Sequence, residues 1–202
     1  MKKIILMVVA AMMASVNANA QHEEGDITIQ PRVGITLSNL TNYEDGKMKL
    51  DLTYGVEVEH YLTDQLGLAA GVLYTNQGVK DTTDDGTACK LDNHYIAVPI
   101  TVNYYVLPGL ALKAGVQPAF RVKTKLKADG KSYDVDKAID LLFDNDYFKF
   151  NKFDLSIPVG FSYEYGGLTL DARYNFGLTK VVSGAAKSIR NQVIVVTLGY
   201  KL

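Results

Sequence analysis

From Leu168 to the last residue the chain alternates two kinds of side chain with a period of two. Leu168, Leu170, Ala172, Tyr174, Phe176 and Leu178 interleave with Thr169, Asp171, Arg173, Asn175, Gly177 and Thr179; after a polar loop, Val196, Leu198, Tyr200 and Leu202 continue the pattern. A period of two with one apolar and one polar face specifies β-strand, because successive side chains point to opposite faces of a sheet. Here the polar face carries full charges and the apolar face is large and partly aromatic. A soluble sheet turns such an apolar face inward, whereas a sheet closed in a bilayer turns it outward to lipid and keeps its polar face inside. Everything else in the sequence bears on that choice.

The same alternation recurs along the chain, predicting strands at Ile27–Leu40, Leu50–Leu62, Leu66–Gln77, Tyr95–Val106, Leu110–Lys125 and Phe153–Tyr165 before the two already described. Pro99 interrupts the fourth, and a proline removes a ladder donor, so a bulge or bend is expected there. The links after strands two, four and six are short: Thr63-Asp64-Gln65, Leu107-Pro108-Gly109 and Gly166-Gly167. Those after strands one, three, five and seven are long and polar. The longest, Leu126–Lys152, contains Val135, Ile139, Leu142 and Phe143 at near-helical spacing, which predicts a short helix. Eight antiparallel strands with short turns at one end and long loops at the other describe an up-and-down transmembrane β-barrel. Each strand exceeds the roughly 9–11 residues needed to cross a bilayer at a tilt. Thirteen tyrosines and no tryptophan fit an interfacial aromatic girdle. A lipocalin-like soluble barrel is the alternative; it would bury Tyr and Leu and expose Asp, Lys and Arg.

The N-terminus divides the chain into residues 1–20, 21–26 and 27–202. Lys2 and Lys3, the apolar run Ile4–Met13 and the small residues Ala18-Asn19-Ala20 form a secretory signal peptide cleaved after Ala20. Residues 21–26 are a short polar lead, and 27–202 the barrel domain. Losing Lys2 and Lys3 leaves 19 basic against 22 acidic residues, a mature net charge of −3, so no polybasic signature for nucleic acid is present. The single cysteine, Cys89, allows no intrachain disulfide. An exported chain of this kind belongs in the outer membrane.

Chemistry is sparse. The polar faces would bring Arg32, Glu57, Glu59, Lys113, Arg121, Asp154, Glu164, Asp171 and Arg173 into a lumen that, with eight strands, side chains can fill. Both signs occur, so a structural network of ion pairs is expected there. Histidines are confined to His22, His60 and His94; His94 with Asp92 and a nearby hydroxyl is the one conceivable hydrolytic set, and an interfacial role suits it better. No metal-ligand spacing or phosphate-binding glycine motif is present, so no cofactor is expected and the chain reads as a non-enzyme. In the long insertion, Tyr133, Tyr147, Phe148 and Phe150 are the residues a protein partner would meet.

Three segments carry a resemblance. Leu170-Asp171-Ala172-Arg173-Tyr174-Asn175-Phe176-Gly177-Leu178-Thr179 with the closing Leu198-Gly199-Tyr200-Lys201-Leu202 resembles the PorT-like outer-membrane β-barrel family of Bacteroidota. Arg32-Val33-Gly34-Ile35-Thr36-Leu37-Ser38-Asn39-Leu40 is similar to its opening strand, and Tyr95-Ile96-Ala97-Val98-Pro99-Ile100 to its central tyrosine/proline strand. The resemblance implies an integral outer-membrane barrel with lipid around it and the barrel assembly machinery as a partner in biogenesis. Its named member is associated with protein secretion, while most members have no assigned task. Many outer-membrane barrels end in Phe; this chain ends in Leu202. The expected roles are a structural, assembly- or secretion-associated, or surface-binding component, against a small channel, a rim hydrolase or acyltransferase, or a soluble binding barrel. Mass analysis of the N-terminus of the exported protein is expected to start at Gln21; a retained Met1 would remove the signal peptide from this reading.

Overall fold

A computed structural model describes residues 23–41, 48–82, 88–128, 131–134, 149–179, 182–183 and 190–202. They form β1 (Ile27–Leu40), β2 (Lys49–Thr63), β3 (Leu66–Thr82), β4 (Ala88–Ala97), β5 (Ile100–Leu107), β6 (Leu110–Ala128), β7 (Lys131–Asp134), β8 (Lys149–Phe150), β9 (Phe153–Tyr165), β10 (Leu168–Gly177), β11 (Val182–Ser183) and β12 (Asn191–Tyr200). β4 and β5 are two halves of one wall strand. With that pair counted once, the wall has eight antiparallel strands, each paired to its neighbours in sequence, and β1 pairs with β12 to close the ring. Closure runs to the end of the chain: the Ile29 amide donates to the Leu202 carbonyl at 3.2 Å and the Leu202 amide to that of Ile29 at 2.9 Å. A lipid phase has no partner for a free strand edge, so closure is what makes the sheet tolerable there.

The faces decide between lipid and water. Val33, Leu52, Tyr54, Val72, Ile100, Phe120, Phe161 and Leu198 point out and are exposed, whereas Arg32, Glu57, Lys113, Asp171 and Arg173 are buried inside. The soluble alternative requires the reverse. Outward apolar side chains fit a bilayer core, and the lumen side needs paired polar groups.

Local chemistry explains the irregularities. At the predicted break, Val98 and Pro99 leave the ladder, yet the wall stays bonded: Val98 N–H donates to Pro118 O at 2.8 Å, and Gly71 N–H to Pro99 O at 3.0 Å. Gly166 and Gly167 both take positive φ, +57° and +81°, as a two-residue hairpin turn matched to strand twist demands. Between the pairs Tyr95↔Arg121 and His94↔Lys123 the register shifts, so β6 carries an extra residue, Val122. Strict alternation through the predicted strand Leu110–Lys125 would put Lys123 on the inner face with Lys113 and Arg121; the bulge leaves Lys123 exposed, and Thr124 takes the buried position.

The strands outrun their predicted ends. β3 continues to Thr82 and β4 starts at Ala88, so much of what reads as a polar loop is an extended hairpin. In the long insertion β7 pairs with the end of β6, and β8 pairs with β11. The predicted helix near Val135–Phe143 and residues 1–22, with the cleavage site, lie outside the described residues.

Small inward positions let the barrel coil tightly. A Cβ on Gly34 would overlap the Val196 carbonyl oxygen across the closing seam, and one on Gly160 would overlap that of Ala172. Gly34→Val and Gly160→Val are therefore expected to abolish the heat-dependent gel shift of the folded barrel. Gly166→Asn, with open space around its Cβ and a side chain that accepts positive φ, should retain it. Normal folding of both valine variants would refute this packing.

Candidate functional site: the charged lumen

The alternating pattern places one or more polar side chains per wall strand inside, and they sort into three levels along the barrel. At mid-height, β1 supplies Arg32, β2 Glu57, β6 Lys113, and β10 both Asp171 and Arg173, all 3% exposed or less. The Glu57 carboxylate meets Arg32 Nη2 at 2.9 Å, Lys113 Nζ at 2.9 Å and Arg173 Nη2 at 3.0 Å. Asp171 meets the same three cations: Arg173 Nε at 2.6 Å, Lys113 Nζ at 2.9 Å and Arg32 Nη1 at 3.2 Å. Two carboxylates and three cations thus join opposite sides of the barrel. A charge desolvated in this way is tolerated only when paired and hydrogen-bonded, and each carboxylate here has three cationic donors.

Toward the short turns, Glu59 collects four donors from three strands. Asn103 Nδ2 donates at 2.6 Å, the Tyr105 hydroxyl at 2.9 Å, Gln30 Nε2 at 3.2 Å and the Tyr61 hydroxyl at 3.3 Å. Lys201, one residue from the C-terminus, reaches Glu164 at 2.5 Å and Glu59 at 3.3 Å. It also donates to the hydroxyls of Tyr61 and Tyr105, whose rings lie 5.6 Å apart. Gln30 Oε1 accepts from Arg32 Nη2 at 2.8 Å and so links this level to the middle one.

Toward the long loops, Lys49 Nζ lies 2.5 Å from Asp92 and 2.7 Å from Asp51. Asp154 accepts from Thr179 Oγ1 at 2.5 Å and from Asn191 Nδ2 at 3.0 Å. Arg121 donates to Thr124, which donates to Asn93 at 2.9 Å.

The nine residues singled out from the sequence therefore lie at three different heights. Arg32, Glu57, Lys113, Asp171 and Arg173 form one cluster, Glu59 and Glu164 meet at Lys201, and Arg121 and Asp154 belong to the loop end. Sequence reasoning did not place Lys201, Lys49 and Asp92 in the lumen. Lys201 obeys the alternation of the last strand and was legible; Lys49 fell in a stretch read as loop, and Asp92 just ahead of the predicted fourth strand. Of the loop aromatics, Tyr133 lies in β7 opposite Leu126 and Phe150 in β8 opposite Val182, while Tyr147 and Phe148 lie outside the described residues. The hydrolytic set does not assemble: Asp92 faces Lys49 in the lumen, and His94 Nδ1 shares a 2.9 Å hydrogen bond with the Tyr74 hydroxyl. His60 lies near the Asp26 carbonyl. Among the described residues, no three His, Cys, Asp or Glu side chains are grouped to hold a metal ion.

Removing one member of the central cluster strands its partners. Arg173→Ala is expected to lower stability by about 3–5 kcal/mol, the usual penalty for breaking a buried pair, while Lys152→Ala at the exposed rim leaves the unfolding midpoint unchanged. Urea titration of the gel shift measures both, and equal midpoints would contradict the assignment.

Comparison with known proteins bears on the whole architecture. The crystal structure of Ail, the attachment invasion locus protein of Yersinia pestis, in complex with the heparin analogue sucrose octasulfate, superposes with a TM-score of 0.51 at 15% identity, covering 89% of this chain and 99% of that one. Neisserial surface protein A gives 0.53 at 14% identity, covering 87% and 97%. At such identities the likeness concerns the fold alone. No curated protein matches the chain in sequence. The family profile described as "Outer membrane protein beta-barrel domain" matches residues 19–183, and the chain belongs to that family of outer-membrane proteins.

Proposed function

We propose that this chain is a non-enzymatic outer-membrane scaffold whose lumen is sealed by its own ion pairs and whose long loops meet a partner outside. The central cluster carries the reading: five charged side chains from β1, β2, β6 and β10, with two carboxylates each contacted by three cations, occupy the middle of the barrel. An eight-stranded barrel has an interior that side chains can fill, and here charged ones do so. A conducting path would have to break pairs that cost several kcal/mol each to separate.

Within the family, the PorT-like group of Bacteroidota is the finer placement we favour, on the sequence segments quoted above. A secretion- or assembly-associated structural role, reached after signal-peptide cleavage and insertion by the barrel assembly machinery, fits that placement. The partner surface is assigned to residues 126–152, the longest insertion.

Protein refolded into planar bilayers is expected to insert without stable conductance steps, and deletion of residues 135–148 to leave that silence and the gel shift intact. A steady ohmic conductance from the folded wild type would overturn the sealed-lumen reading.

A further inference from the structure

The ladder between β2 and β3 ends at Thr53↔Thr75, though both strands continue: β2 to Lys49 along β1, and β3 to Thr82 along β4. Which backbone groups this leaves open follows from parity. In an antiparallel ladder a residue turns its N–H and C=O to one side, and its neighbours turn theirs to the other. Ile29 exchanges both of its bonds with Leu202, so the odd-numbered residues of β1 serve the β12 side, and Gly34 and Thr36 serve β2. Their partners in β2 are Thr53 and Asp51. Leu50 and Leu52 therefore turn their N–H and C=O groups away from β1, to the side that β3 has left.

The two arms of this fork end differently. On β3 the parted edge is served by side chains from β1: Thr36 Oγ1 donates to Asn76 O and Ser38 Oγ to Gly78 O, both at 3.0 Å, and Gly78 N–H donates to Ser38 Oγ at 2.9 Å. On β2, among the described residues, the last bond across is Thr53 Oγ1 to Tyr74 O at 3.2 Å, and nothing bonds the backbone of Leu50 or Leu52 on that side. Tyr54, eight residues along β2 from Leu62, stands about 20 Å above it at the usual strand rise and tilt. The open edge thus lies at the upper margin of the apolar band, where water can serve it until something else does. In front of it is a cleft of about 380 Å³ between Leu50, Leu52 and Tyr54 on one side and Tyr74, Asn76 and His94 on the other.

We propose that the open edge of β2 takes up an extended peptide segment of a partner chain as an added strand. Two N–H and two C=O groups at alternate residues of a regular strand are a template for strand pairing. The added segment carries apolar side chains at every second residue, continuing the outward face of Leu50 and Leu52, which are 52% and 67% exposed. A second copy of this barrel does not fit: from Thr53 toward the short turns the place is filled by β3, so a strand of membrane-spanning length cannot enter. A narrow segment arriving from the loop end can. The edge is separate from residues 126–152 and stands whether or not the lumen is sealed.

Amide hydrogen exchange of the mature protein in decyl maltoside micelles, followed by NMR, tests this with the capped pentapeptide Thr-Leu-Thr-Leu-Thr as probe. Without peptide, the amides of Leu50 and Leu52 are expected to exchange faster than those of Asp51 and Thr53, which bond to β1. At ten times its Kd the peptide should slow Leu50 and Leu52 about tenfold and leave Asp51 and Thr53 unchanged. The same peptide methylated on every amide nitrogen should have no such effect. Leu52→Pro removes an N–H on the open side and spares the β1 ladder, so the gel shift should stay normal while the slowing at Leu50 is lost. Slow exchange of Leu50 and Leu52 before any peptide is added, no slowing by the peptide, equal slowing by its methylated form, or an undiminished effect in Leu52→Pro would each overturn the proposal. If Leu52→Pro fails to fold, the methylated peptide decides.

Discussion

A strand edge in hydrocarbon has nothing to bond to, and this one constraint governs the molecule. Each N–H and C=O must find its partner within the wall, so β12 has to return to β1, and the pairing extends to Leu202 itself. Where regular pairing fails, substitutes appear. The Val98–Pro99 break is bridged by bonds to Pro118 and Gly71, and the parting of β2 from β3 by hydroxyls of Thr36 and Ser38. Function in such a wall has room in only three places: the lumen, the loops, and any point where the ladder departs from regularity.

Closure also fixes register through charge. Sliding one strand by a single residue exchanges its two faces. For β2 such a slip would move Glu57 and Glu59 into lipid and bring Val56 and Val58 against Lys113; for β10 it would expel Asp171 and Arg173. Because Glu57 and Asp171 share the same three cations, an error in either strand would strand charges contributed by the other. Hydrophobic packing alone discriminates weakly between outward-facing leucines and valines. The central cluster is therefore better understood as a specificity device than as a source of stability, since the desolvation cost of buried ions offsets much of their attraction. Lys201 extends the same logic to the end of the chain, where Glu59 from β2 and Glu164 from β9 hold the terminal residues inside.

Most of this was legible in the sequence because alternation is a local, strictly periodic signal. The inward assignment of Arg32, Glu57, Lys113, Asp171 and Arg173 needs only their parity within each strand. What parity cannot give is height, which depends on barrel shear, and so the nine charges looked like one network when they lie at three levels. Parity also fails past a bulge: Val122 shifts the count, turning Lys123 out and Thr124 in. Strand ends failed for a related reason: residues 78–94 carry no strict alternation of polar and apolar types, so the sequence reads as non-strand where β3 and β4 pair as far as Thr82↔Ala88.

The fork between β2 and β3 was illegible for a deeper reason. Leu50, Leu52 and Tyr54 obey the alternation that any lipid-facing strand obeys, and Asp51 and Asn76 look like residues near a strand end. Their meaning comes from a missing pairing, which is a property of two strands and not of either sequence. β2 is held by β1 up to Ser38↔Lys49, and β3 by β4 up to Thr82↔Ala88, so the two divide in allegiance above Thr53. A barrel wall that must satisfy every backbone group would be expected to close such a fork, by sliding or by shortening a strand. Instead the fork is kept, with Lys49 fully buried and paired to Asp51 and Asp92, and with Leu50, Leu52 and Tyr54 exposed on its outer face. Holding polar side chains in such a wall is costly unless something polar meets them, and here they meet one another: Asp51 is paired with Lys49 and Asn76, so the side chains of the fork are satisfied from within the wall.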